Sequence, residues 1–107
     1  MPKWLPSVLK RVHSHAATGR VLFTLKALRE LASLDLGLDE EDALEILRRL
    51  RGADSFGRLR SEHTGEWLYV FLPRVAGETL YVKLLLRADC LIVSFHEQVD
   101  DDQEAGP

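Results

Sequence analysis

The sequence predicts an α+β fold, with N-terminal helices packed on one face of a C-terminal antiparallel sheet of about four strands. Three observations predict it. Apolar residues recur at helical spacing through roughly the first 50 positions. After Gly52 the period changes to two. The β-like runs that follow are joined by links too short for crossovers, so neighbouring strands run antiparallel. Helices first and strands afterwards place the helices on one side of the sheet.

Pro6-Ser7 opens the first helix, and Val8, Leu9, Val12 and Ala16 share one side of it. Gly19 is its stop signal. Val21-Leu22-Phe23 is β-like but short. Thr24 is the expected N-cap of a second helix with an apolar stripe of Leu25, Leu28, Leu31 and Ala32, ending near Asp35-Leu36-Gly37. Asp39 caps a third. Glu40, Glu41 and Asp42 crowd its first turn, and Arg48, Arg49 and Arg51 sit at its end, as the helix dipole favours. Ala43, Ile46, Leu47 and Leu50 form its buried side. Strands are expected over 57–62, 66–72, 79–86 and 89–96. His63-Thr64-Gly65, the stretch from Pro73 to Glu78, and Arg87-Ala88 join them.

The chain has 107 residues, with 46% hydrophobic and 29% charged side chains, which excludes a fully disordered polymer. One domain is expected over 1–98, followed by an acidic tail, VDDDQEAGP at 99–107, whose composition predicts disorder. No apolar run approaches the roughly 20 residues that span a bilayer, so no membrane association is expected. The N-terminus carries no secretory h-region. Cys90, the single cysteine, cannot form an internal disulfide, and a reducing cytoplasmic location is expected.

The net charge of −3 argues at first sight against a nucleic-acid partner. Its distribution weakens that argument. Residues 1–30 carry +5, residues 31–56 carry −4, residues 57–96 carry +1 and residues 97–107 carry −5. Lys10, Arg11, Arg20, Lys26 and Arg29 could hold RNA or an acidic protein segment, or merely be solvated.

A two- or four-residue turn at Arg87-Ala88 would set Leu84 across from Leu91, Val82 from Val93 and Leu80 from Phe95, all facing the helices. The other side would then hold Tyr81 across from Ser94, Lys83 from Ile92 and Thr79 from His96, because a strand's side chains alternate between faces. If the Pro73–Glu78 loop joins Leu72 directly to Thr79, Leu68 and Val70 lie with Tyr81 and Lys83, while Trp67, Tyr69 and Phe71 face the helices. The face away from the helices then carries Tyr81, Lys83, Ser94 and His96, with Arg58 or Arg60 as candidates from the first strand.

Such a group has the parts for metal-free RNA cleavage by attack of a 2′-hydroxyl on the adjacent phosphorus. That reaction needs a proton acceptor, a proton for the leaving 5′-oxygen, and positive charge around the phosphorane. The imidazole of His96 can supply or accept the proton. Lys83 and an arginine can hold the phosphate. Tyr81 can hydrogen-bond the phosphate or stack on a base. A sheet face with one Lys, one Tyr and one His is also a common solvated surface.

Other residues read more blandly. His13 and His15 point apart on a helix and make a poor metal pair. His63 lies in a turn as a candidate substrate contact. Cys90 is expected on the Tyr81 face as a structural side chain, since no activating base is near. Asp39 to Asp42 lack the spacing of a calcium loop. No metal or cofactor is expected.

The stretch LYVKLLLRADCLIVSFHEQ, residues 80–98, resembles the C-terminal hairpin of the MqsR family of bacterial toxins. That family has a Tyr-x-Lys-Leu strand followed by an apolar strand ending Ser-Phe-Lys-Glu. Here these read Tyr81-Val82-Lys83-Leu84 and Ser94-Phe95-His96-Glu97. The Trp67 strand followed by Pro73-Arg74, and Leu36-Gly37-Leu38-Asp39 before it, match in kind and spacing. The likeness covers roughly residues 7–98.

The resemblance implies a RelE/ParE-like fold and a ribosome-independent endoribonuclease, an mRNA interferase of a type II toxin–antitoxin pair. It also implies a cognate antitoxin that neutralises it. It implies site roles for Tyr81, for His96 in place of a family lysine, and for Arg58 as substitute for a lysine near Gly57-Arg58. Leu68 stands where the family has a glutamine and cannot hydrogen-bond. Lys83, Arg60 and Ser94 complete the candidate phosphate contacts. Two other readings stay open: a non-catalytic binding module decayed from a toxin, and a toxin of this fold with a non-RNA target such as gyrase.

Overall fold

The computed structural model describes residues 1–99. Helices α1 (Leu5–Ala17), α2 (Leu25–Ser33) and α3 (Glu40–Arg48) precede most of the sheet, and strand β1 (Val21–Phe23) lies between α1 and α2. The remaining strands are β2 (Ser55–Arg60), β3 (Trp67–Phe71), β4 (Arg74–Val75), β5 (Glu78–Leu86) and β6 (Cys90–Glu97). The sheet order is β1-β6-β5-β3-β2, with β4 paired to the start of β5. The class is α+β as expected. The four long strands are antiparallel, while β1 joins β6 in parallel and makes the sheet mixed. The acidic tail expected over 99–107 lies, apart from Val99, outside the described residues. Among the described residues no helix is long and apolar enough to cross a membrane.

Local chemistry sets the helix starts. Pro6 sits at the beginning of α1, where a missing N–H costs nothing. The Thr24 hydroxyl accepts from the Ala27 N–H at 3.0 Å, capping α2. Asp39 and Asp42 form a reciprocal capping box on α3, with both bonds at 2.9 Å. Two members of the α2 stripe differ from expectation. Leu25 and Ala32 face water, and Ala27 and Leu31 are the buried residues. The helix packs on β6, next to the short edge strand β1, rather than over the middle of the sheet, so it buries a narrower face.

Both hairpins at the end of the chain differ in register from expectation. The link between β5 and β6 is three residues, Arg87-Ala88-Asp89, not two or four. It pairs Leu86 with Cys90, Leu85 with Leu91 and Leu84 with Ile92. The register then shifts, leaving Val93 as an extra residue, and resumes with Lys83–Ser94, Tyr81–His96 and Val82–Phe95. Ile92 and Cys90, expected beside Tyr81, are therefore in the core, and Leu91 and Val93 leave it. Upstream, Pro73–Glu78 is no open loop. β4 continues the hairpin to a tight turn at Ala76-Gly77, where both φ angles are positive (52° and 82°), as a twist-matched two-residue turn requires. This moves β3 two residues along β5, to Leu68–Leu85 and Val70–Lys83, and keeps the expected faces because the shift is even.

The core lies between the helices and one sheet face. Leu5, Val8, Val12 and Ala16 of α1, Ala27 and Leu31 of α2, and Ala43 and Leu47 of α3 meet Phe71, Leu80, Val82, Leu84, Ile92 and Phe95. Phe95, wholly buried, is the anchor next to the bulge. Phe95→Ala should lower unfolding stability by about 3–5 kcal/mol in a urea titration, the range for emptying a buried aromatic site. A loss under about 1 kcal/mol would show that the bulge does not direct Phe95 inward.

Candidate active site

The register after the bulge puts Tyr81, Lys83, Ser94 and His96 on the sheet face away from the core. Tyr81 and His96 are cross-strand partners whose rings stack at 5.0 Å between centroids and 11° between planes. The Lys83 Nζ stands 6.0 Å from the Tyr81 ring centroid. Lys83 is only 9% exposed, Tyr81 4% and Ser94 2%, so this is a packed site and not a solvated sheet face. A lysine so enclosed is uncommon.

The His96 Nδ1 lies 2.8 Å from the Glu97 carbonyl oxygen. A carbonyl only accepts, so Nδ1 carries the hydrogen in this contact. His96 also borders a shallow cleft of about 420 Å³, shared with Arg29, Glu30, Ser33, Leu34 and Asp35. The ring thus connects the enclosed Tyr81–Lys83 corner to the open cleft.

The sequence named Lys26 only among five N-terminal cations that could hold RNA or an acidic segment, and α2 delivers it here. Its Nζ donates to Ser94 Oγ at 3.0 Å and pairs with Glu30 Oε2 at 3.0 Å. Glu30 in turn accepts the Phe95 backbone N–H at 2.9 Å. The carboxylate therefore ties α2 to the free edge of β6 and holds the ammonium above Ser94. The i,i+4 spacing of Lys26 and Glu30 was visible in sequence, but not which strand they would meet.

Arg58 and Arg60 are not in this group. Arg58 pairs with Tyr69 and Arg60 with Trp67, on the helix side of the sheet. Their guanidinium groups lie 3.8 and 3.9 Å from the Trp67 ring centroid. The expectation that either would join Tyr81 is corrected by this register. β2 is an edge strand, and the indoles of Trp4 and Trp67 shelter its arginines on a face that the helices cover only partly. Leu59, not an arginine, faces the Tyr81 side across from Leu68. Leu68 is buried beside Lys83 and lines a hollow with His63, Thr64, Leu85 and Val93.

Among the described residues no three His, Cys, Asp or Glu side chains are grouped to hold a metal. The His13 Nε2 is 2.8 Å from the Leu50 carbonyl, tying α1 to the end of α3. Cys90 is fully buried on the helix side, which corrects its expected place beside Tyr81.

The elements that carry this site fall within residues 6–97, the span that matches a toxin-family model. The chain is thus a toxin of the toxin–antitoxin class. The matching model is described as motility quorum-sensing regulator, toxin of MqsA, and the chain belongs to this MqsR toxin family. Membership implies an antitoxin partner. No curated protein matches the chain.

Burial pushes the Cys90 thiol up to about 12, with Arg11 opposing slightly. The thiolate is the reactive form. Folded protein should therefore leave Cys90 unmodified by iodoacetamide at pH 8, and denaturant should expose one reactive thiol. Rapid labelling of the folded chain would contradict the inward placement.

Proposed function

We propose that this toxin is a metal-independent endoribonuclease that cleaves mRNA, and that its antitoxin neutralises that activity. The observation that carries the reading is the stacked Tyr81–His96 pair, with Lys83 on the same sheet face and the Lys26 Nζ brought to Ser94 by α2. In this reading the 2′-hydroxyl attacks phosphorus and gives its proton to His96 Nε2. The 5′-oxygen leaves with a proton returned by the imidazolium, so the products are a 2′,3′-cyclic phosphate and a 5′-hydroxyl. Tyr81 positions the phosphate. Lys83 and Lys26 oppose the charge of the phosphorane, the part first assigned to Arg58. Ser94 orients Lys26 and contacts substrate through its hydroxyl.

A second reading has support in Leu68 and in the enclosure of Lys83, Tyr81 and Ser94: a non-catalytic module that keeps the toxin's protein contacts. Purified full-length chain incubated with RNA and EDTA separates the two. The enzyme reading expects cleavage, mapped by primer extension, and growth arrest on induction. Folded protein that cuts no RNA and is harmless when expressed would leave the binding module.

Within the enzyme reading, His96→Ala should slow cleavage about 100-fold or more, the scale of a lost proton-transfer group. Tyr81→Phe should slow it less, with circular dichroism unchanged in both. Full rates in both variants would remove these roles. Residues 99–107 hold four acids and no base. Their deletion should raise RNA affinity several-fold at low salt and by less at high salt, since charge repulsion is screened. Equal affinity with and without the segment would show that its charge does not oppose RNA.

A further inference from the structure

The two arginines that left the Tyr81 face form a second group. Arg58 Cζ stands 3.8 Å from the Trp67 ring centroid and 4.9 Å from that of Trp4, and Arg60 Cζ stands 3.9 Å from Trp67. Trp4 continues the series to Tyr69, with centroids 5.5 Å apart. Aromatic and guanidinium planes thus form a ladder along the edge strand β2, which no further strand covers.

Charge at this edge is positive. Among the described residues no carboxylate pairs with Arg58 or Arg60; the Arg60 Nη1 donates to the Gly65 carbonyl at 2.7 Å. The neighbouring Glu66 is engaged by Arg87 through two bonds, of 2.9 and 2.6 Å. That engagement holds the Glu66 carboxyl down at about 2. Arg11 reaches the same corner and donates to the Arg87 carbonyl at 3.4 Å. Glu62 in the next turn, and Asp54 just before β2, which pairs with Arg51, are the other nearby acids in sequence.

We propose that the Trp4–Arg58–Trp67–Arg60 ladder is a docking surface for single-stranded RNA lying outside the cleavage point. The proposal rests on the RNA-cleaving reading of the Tyr81–His96 site. A guanidinium stacked on an indole keeps its N–H edge for a phosphate, and Arg60, the exposed end of the ladder, offers its plane for stacking to an unpaired base. An acidic peptide would use the charge and leave that plane unused, so the observations favour RNA. Three strand spacings separate β6 from β2, about 14 Å, and the two groups face opposite sides of the sheet. RNA that touches both must wrap around the sheet, so the ladder holds flanking nucleotides.

The test uses fluorescence anisotropy with unstructured RNA of about 16 and about 4 nucleotides, on the full chain carrying His96→Ala to prevent cutting. Arg58→Ala/Arg60→Ala should weaken binding of the longer RNA about tenfold, on the scale of one lost stacking partner or more. It should also lower the dependence of log affinity on log salt by about 1.4, the share of two phosphate contacts. Cleavage of the short RNA by otherwise native chain should be unchanged. Arg58→Lys/Arg60→Lys keeps the charge and the aliphatic packing on Trp67, and should still weaken the longer RNA. Unchanged binding of the longer RNA in the alanine pair overturns the proposal. So does full affinity in the lysine pair, and so does preferential binding of poly-glutamate over RNA by native chain, which would point to an acidic protein partner. Native chain that cleaves RNA while the variants bind normally sinks only this docking surface. Native chain that neither binds nor cleaves sinks the cleavage reading with it.

Discussion

One extra residue in β6, Val93, decides which side chains this protein buries and which it presents. Strict alternation along CLIVSFHE would place Cys90, Ile92 and Ser94 on one face, and Leu91, Val93 and Phe95 on the other. Neither set works. The first puts a hydroxyl among core residues, and the second turns Phe95 away from Ile92. The bulge between Lys83 and Leu84 lets Cys90 and Ile92 enter the core before it and Phe95 after it. Ser94 and His96 then fall opposite Lys83 and Tyr81. The core and the candidate site are therefore two consequences of one irregularity, and bulges commonly re-aim side chains in this way.

A bulged strand at the margin of a sheet has unsatisfied backbone groups, and here the α2 region supplies their partners. The Arg20 carbonyl accepts from Cys90, Thr24 donates its N–H to the Ile92 carbonyl at 3.0 Å, and Glu30 accepts from the Phe95 N–H. β1 covers the same edge just upstream. This edge repair is what brings Lys26 over Ser94, so a structural need positions a cation of the candidate site. The Thr24 hydroxyl serves twice, as acceptor for the α2 cap and as donor to the Val93 carbonyl at 3.4 Å.

The general architecture was legible because each helix carried its own start signal and each strand its own period. Thr24 and Asp39 act as read, and Tyr81, Lys83, Ser94 and His96 share the face expected of them. Register was not legible. Leu91-Ile92-Val93 are all apolar, so nothing in that run shows which residue is the extra one. Ala76 gives no glycine-like signal for its positive φ, so the hairpin through β4 read as a loop. Arg58 and Arg60 alternate with Leu59, which suggests arginines out and leucine in. Instead both arginines share the Trp67 side, because an edge strand has no fully buried face, and there their guanidinium groups stack on the Trp67 indole while Arg60 stays exposed.

The same edge explains why net charge is a poor guide to what this chain can bind. The acids of residues 31–56 are largely committed. Asp39 and Asp42 close a capping box, Glu40 and Glu41 lie in the first turn of α3, and Glu45 pairs with Arg48 and Arg49 at 3.1 and 2.7 Å. Those charges act on the α3 dipole and on one another, and at physiological salt their field fades within about 8 Å. Cations on β2, β5 and α2 sit on other surfaces. A total of −3 averages over groups that a bound phosphate would never sense together. The relevant quantity is the charge within a screening length of each surface: Lys26 stands with Glu30 and Glu97 near the Tyr81 face, while Arg58 and Arg60 stand together on the β2 edge.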